Sequence, residues 1–98
     1  MAESIFSLMY GGYEWAELRV YRHPANKRKY VVDGQTGCSC YDYEIPTDNE
    51  LRDMTPLTKT EARKQVADWA ADNSYFDDIS DKAGQRVKAI EAFNNAVK

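Results

Sequence analysis

A change of hydrophobic period midway along this chain limits what it can fold into. From Tyr13 to His23 residues alternate, with Ala16, Leu18 and Val20 on one side and Trp15, Glu17, Arg19, Tyr21 and His23 on the other. That period of two reads as a strand with one apolar and one amphipathic face. His23-Pro24-Ala25-Asn26 supplies turn residues, and Lys29–Asp33 supplies a second, β-branched strand that pairs with the first as a hairpin. Asp33-Gly34 and Gln35-Thr36-Gly37 then read as a turn, after which Cys38–Glu44 resumes the alternation. The expectation is a three-stranded antiparallel meander over residues 13–45, preceded by an arm over residues 1–12 whose conformation the sequence leaves open.

Beyond Pro46-Thr47-Asp48-Asn49 the period changes. Glu50–Leu57 reads as a connection with one irregular turn near Leu51 and Met54. Thr58 is then an N-cap with Glu61 three residues on, and Leu57 and Ala62 are placed as a hydrophobic staple. Ala62, Val66, Trp69, Ala70 and Asn73 follow at helical spacing, which turns Val66 and Trp69 toward the sheet and makes Trp69 the largest expected core residue. Ser80-Asp81 caps a second helix whose expected apolar stripe is Ala83, Val87, Ile90, Phe93 and Val97. Strands followed by helices give an α+β class, with both helices of residues 58–97 on one face of the sheet. At 98 residues the chain is a single domain with enough apolar surface for an ordinary core.

Charge narrows the function classes. The net charge is −3, with seven acids against five bases through Asn49 and nine against eight beyond it. A generic electrostatic nucleic-acid binder is basic overall, so that class starts at a disadvantage. The first dozen residues lack the basic region and the apolar core of about 7–15 residues that mark a secretory signal, and no run is long enough for a membrane span. The expectation is a soluble cytoplasmic protein that does not engage membranes.

Candidate sites are few. Cys38 and Cys40 on one strand face offer two soft ligands, and His23 is the remaining soft donor for a metal set, which Asp42 or Glu44 would have to complete. The competing readings are that both cysteines are small core residues, reduced and unbonded, or that one is a redox or nucleophilic thiol, which would need His23 or the Arg/Lys group nearby to lower its pKa. With one histidine, no glycine-framed nucleophile and no phosphate-binding glycine loop, no catalytic role and no cofactor is expected. The acids Asp68, Asp72, Asp77, Asp78 and Asp81 gather near the helix junction and read as a solvated, cap-rich corner.

Two surfaces remain. Arg19, Arg22, Lys27, Arg28 and Lys29, flanked by Tyr21 and Tyr30, form a basic hairpin over residues 19–30 suited to single-stranded nucleic acid or to an acidic protein surface. A solvated tip that protects an edge strand is the plain alternative. Six of seven tyrosines lie between Tyr10 and Tyr43, more than one helix-covered face needs. Trp15, Arg19, Tyr21, Arg22 and Tyr43 therefore form a candidate partner-binding set with the composition of an interface hot spot. Its alternative is that these aromatics cap the core edges or lie under Ile5, Phe6, Leu8 and Met9.

The run Tyr13-Glu14-Trp15-Ala16-Glu17-Leu18-Arg19-Val20-Tyr21, with Tyr30 and Gly37-Cys38-Ser39-Cys40, resembles small proteins of unknown function encoded by phages of actinobacteria. The resemblance spans residues 13–43. It implies an accessory protein in a host cytoplasm that binds and modulates a host protein, which makes an interaction module the leading expectation. A nucleic-acid module at the basic hairpin and a small metal-binding domain at the cysteines are the alternatives. Oligomeric state is not legible.

Overall fold

A computed structural model describes residues 2–98. Strands β1 (Phe6–Gly11), β2 (Glu14–His23) and β3 (Asn26–Cys38) form one antiparallel sheet in the order β1-β2-β3. Helices α1 (Asp48–Asp53), α2 (Lys59–Asn73) and α3 (Lys82–Ala96) follow, with a 3₁₀ turn at Ser74–Asp77 between the last two. The fold is the expected α+β arrangement, a three-stranded meander with α2 and α3 on one face.

The identity of two strands differs from expectation. The segment read as an arm supplies β1, paired from Phe6↔Val20 to Gly11↔Trp15; Met1 lies outside the described residues. Phe6 and Tyr10 are buried, Leu8 is half-buried, and Ser7 and Met9 between them are exposed, so the period of two is present over a short stretch. Conversely, the expected turn at Asp33–Gly37 is extended and continues β3, with Asp33 opposite Arg19 and Gln35 opposite Glu17. The glycines there make room for two indoles. A Cβ on Gly34 would stand 2.7 Å from Nε1 of Trp69, and one on Gly37 would stand 2.7 Å from the Trp15 ring, so both glycines serve close packing inside a strand. The sheet therefore ends at Cys38, and the expected strand Cys38–Glu44 is instead the start of a crossing segment.

The core lies between the sheet and the two long helices. Leu18, Val20, Phe6 and Tyr10 meet Val66 and Ala70 of α2 and Ala89 and Phe93 of α3. Phe6 and Phe93 pack edge to face at 5.7 Å, a favoured aromatic geometry. The α2 start is as expected: Thr58 and Glu61 form a reciprocal capping box. A second box, Thr47 with Glu50, starts α1 where only an irregular turn was expected. Trp69 is not the largest buried residue. It is half-buried, lies over Gly34 and stacks on Tyr10 at 5.8 Å, while Tyr21 and Phe93 are the largest fully buried side chains.

Helix α3 is also rotated from its expected stripe. Ala83 and Val87 face solvent, and Gln85, Ala89, Phe93 and Val97 face inward. The Tyr10 hydroxyl explains the polar member of that face: it is inside the core and donates to Gln85 Oε1 at 3.0 Å, because a buried hydroxyl without a partner costs on the order of 1–3 kcal/mol. Asp68 of α2 ties the helices together on their outer side through Arg86 of α3, and also pairs with Lys64 at 2.8 Å.

Gly34→Ala should push the Trp69 indole off the sheet, lowering stability by about 1–3 kcal/mol in urea denaturation and shifting tryptophan fluorescence to the red. An unchanged denaturation midpoint would show that the indole does not depend on this close approach.

Candidate functional site

The second face of the sheet decides which candidate residues are available. After Cys38 the chain crosses back over that face as a strap, residues 39–56, and rejoins the sheet through an antiparallel bridge between Leu57 and Tyr30. Polar bonds locate the strap. The Trp15 indole donates to the carbonyls of both Cys38 (2.9 Å) and Tyr41 (3.1 Å). Gln35 exchanges two hydrogen bonds with the backbone of Glu44, at 2.8 and 2.9 Å. The Tyr43 hydroxyl donates to Asp33 Oδ2 at 2.8 Å and accepts from Tyr21 at 2.7 Å. Below these, Leu51 of α1 closes a second apolar cluster with Tyr21 and Val31.

Most of the expected partner-binding set is thereby brought together and enclosed. Trp15 is 7% and Tyr21 1% exposed, because the strap, and not the N-terminal strand, covers them. Arg19 is held under the strap, paired with Glu17 at 2.6 Å and stacked over the Tyr43 ring at 4.2 Å. Trp15, Arg19, Tyr21 and Tyr43 form the seat of the strap, and of the five expected contact residues only Arg22 is openly exposed.

The basic hairpin tip remains open. Arg22, Lys27 and Arg28 are exposed and Lys29 is half-buried. Among the described residues none of these four makes an ion pair, the salt bridges being Arg19–Glu17, Lys64–Asp68 and Arg86–Asp68. Arg22 is set in place by a hydrogen bond from Nη1 to the Lys27 carbonyl at 3.0 Å and by the Tyr30 ring, whose centroid lies 5.4 Å from its guanidinium carbon. Tyr30 is 6% exposed, so its ring supports Arg22 and offers no open face to a base. Beside the tip is an open groove of about 400 Å³ lined by Ile5, Tyr21, Arg22, Pro24, Lys27 and Leu51, with Glu3 and Asp48 also at its walls.

The proposed metal set does not assemble. Cys38 lies opposite Glu14 at one end of β2 and His23 ends that strand, a separation of roughly 30 Å at strand rise. His23 is also fully engaged. Its Nδ1 accepts from the Ala25 amide at 3.1 Å, which leaves Nε2 to donate to the Arg52 carbonyl at 3.2 Å. Among the described residues no three side chains of the metal-binding types come together. Neither cysteine is a core residue: Cys38 is half-buried and Cys40 exposed. Of the acids at that corner, among the described residues, Asp81 alone caps a helix, accepting from the Gly84 amide at 2.9 Å, while Asp77 accepts from the Gly11 amide of β1 at 2.6 Å and Asp68 pairs with Lys64 and Arg86.

Asp33, Gln35 and Leu51 were not singled out by the pattern of the sequence. Asp33 and Gln35 sit in a stretch whose glycines suggest a turn, and Leu51, with Met54, sits in a polar run that reads as an irregular connection.

A family model described as a domain of unknown function, DUF7574, matches residues 4–96. The chain belongs to that family. No curated protein and no solved structure matches it significantly. The DUF7574 match takes in the sheet, the strap and all three helices, so the strap and its seat belong to the matched domain. Among the described residues no helix is long and apolar enough to cross a membrane.

Burial, followed by the hydrogen bonds to Tyr21 and Asp33, pushes the Tyr43 phenol far above its ordinary range, and burial also raises Tyr21. Both folded values exceed the unfolded value of about 10. The stability that these groups contribute is therefore complete below about pH 10 and is lost as pH rises above it, because the unfolded chain releases its protons first. Tyr43→Phe should cost about 1–2 kcal/mol at neutral pH and make the alkaline decline shallower, as read by denaturant titrations at a series of pH values. An alkaline decline of unchanged slope would remove Tyr43 as its source.

Proposed function

We propose that this DUF7574 domain is a non-catalytic protein-interaction module that uses the β2–β3 hairpin tip to engage an acidic surface of its partner. The observation that carries this reading is the cluster of Arg22, Lys27, Arg28 and Lys29 at one tip, none of which makes an ion pair among the described residues. Arg22 adds preorganisation, since its guanidinium is already fixed by the Lys27 carbonyl and the Tyr30 ring. An arginine that loses little freedom on binding is the kind of residue on which interface energy concentrates. The resemblance to phage-encoded accessory proteins makes a host protein the proposed partner, met in the host cytoplasm.

A protein is favoured over a nucleic acid on two grounds. Sequence-tolerant binding of single strands draws on aromatic faces open to stacking, and at this tip Tyr30 and Tyr21 are both buried. The chain carries a net charge of −3, which disfavours a long polyanion that extends past the tip.

The test is affinity capture from a bacterial lysate with and without nuclease, comparing the wild type with Lys27→Glu/Arg28→Glu. The expected result is one protein that survives nuclease and is lost with the variant, whose circular dichroism stays that of the wild type. With that protein purified, the charge reversal should slow association by about tenfold or more at low ionic strength. Recovery that vanishes on nuclease treatment would replace the protein reading with the nucleic-acid one, and equal capture by both forms would move the contact surface away from the tip.

A further inference from the structure

The expected strand at Cys38–Glu44 would have held the two thiols side by side on one face, poorly placed to bond to each other. The structure puts them in a turn. The Tyr41 amide donates to the Cys38 carbonyl at 3.0 Å, so Cys38 and Cys40 occupy the first and third positions of a β-turn. Two consecutive Cα steps of about 3.8 Å bent through a turn bring their ends to roughly 5–6 Å, inside the range that a disulfide spans. The turn is also braced. The indole of Trp15, itself 7% exposed, donates to the carbonyls at both ends of it, Cys38 and Tyr41, and the ring fits there because residue 37 is glycine. Both thiols are free and they differ in access, Cys40 being exposed and Cys38 half-buried.

We propose that Cys38 and Cys40 form a redox-active dithiol that exchanges with low-molecular-weight disulfides. Cys40, the accessible thiol, attacks one sulfur of a disulfide such as oxidised glutathione. The Cys40 S–S bond forms, the glutathione S–S bond breaks, and one glutathione thiolate leaves and takes up the proton that Cys40 gave to water. Cys38 as thiolate then attacks the Cys40 sulfur and expels the second glutathione, which is protonated in the same way. The net change is oxidation of two protein thiols to one internal disulfide and reduction of one glutathione disulfide to two thiols. Closing a loop over the single residue Ser39 removes little entropy from the unfolded chain. The bond therefore adds little to the stability of the fold, which suits a reversible site more than a structural cross-link. In this scheme Trp15 is a positioning residue that keeps the turn bent while the second step occurs.

The experiment is oxidation of the full chain with oxidised glutathione, with mass spectrometry of samples quenched by alkylation. The wild type should pass through a transient glutathione adduct to a form lacking two hydrogens that resists alkylation, and dithiothreitol should restore both thiols. Cys38→Ser should stop at a stable adduct on Cys40, and Cys40→Ser should react at least about tenfold more slowly, since only the less accessible thiol remains. Trp15→Phe should leave the first step unchanged and lengthen the life of the adduct, a split that a general loss of structure would not produce. Accumulation of a stable adduct on the wild type, disulfide-linked dimers in its place, or no reaction would each overturn the proposal; the serine variants keep the test valid if Trp15→Phe does not fold.

Discussion

The structure depends on the burial of its central strand from both sides. In β2, Ala16, Leu18 and Val20 face the helices, and Trp15 and Tyr21 face the strap. A three-stranded sheet with helices on one side alone would leave a large aromatic surface in water. Two buried aromatic side chains contribute on the order of 2–3 kcal/mol each, whereas each hydrogen bond that holds the strap is worth about 1 kcal/mol net. Burial of the two rings and the six hydrogen bonds to the strap are thus similar in total, and both hold it on the sheet. The polar bonds from Trp15, Asp33, Gln35 and Tyr43 fix where along the sheet it lies, since once covered those groups must all be satisfied.

That constraint explains how the sequence could show the aromatic face yet not its fate. The alternation in β2 states which residues share a face, and that reading agrees with the structure. It is silent on what covers the face, because the alternation at Cys38–Glu44 suggests another strand of the sheet and not a segment laid across it. Tyr43 reaches β2 from a segment that reads as a third strand, and Leu51 from one that reads as a connection. The capping boxes were more legible, since Thr58 and Glu61 act over three residues and need no tertiary partner. The rotation of α3 was hidden for the opposite reason. Gln85 faces inward on account of a hydroxyl 75 residues away in the chain, and the small apolar residues Ala83 and Val87 carried a misleading stripe.

Glycine was the least transparent residue type. Asp33-Gly34 and Gly37 have turn composition, but in the folded chain they are flat places in a strand against which Trp69 and Trp15 lie. From sequence a glycine that permits a turn and a glycine that admits a ring look alike. The same ambiguity displaced the cysteines by one structural class, from strand to turn, and with it their geometry. The hairpin tip and the cysteine turn lie at opposite ends of β3, so a partner held at one need not obstruct small molecules at the other.

The edge-to-face contact of Phe6 with Phe93 joins residues near the two ends of the described chain. Vectorial synthesis makes β1 well before α3, which supplies the aromatic ring that covers it. The two hairpins of the sheet can pair as they emerge, because their partners are neighbours in sequence, but the apolar side of β1 stays open until α3 has been made. Completion of this domain therefore waits until α3 has been made, and through that interval the nascent chain presents Phe6, Leu8 and Tyr10 to whatever else is in solution.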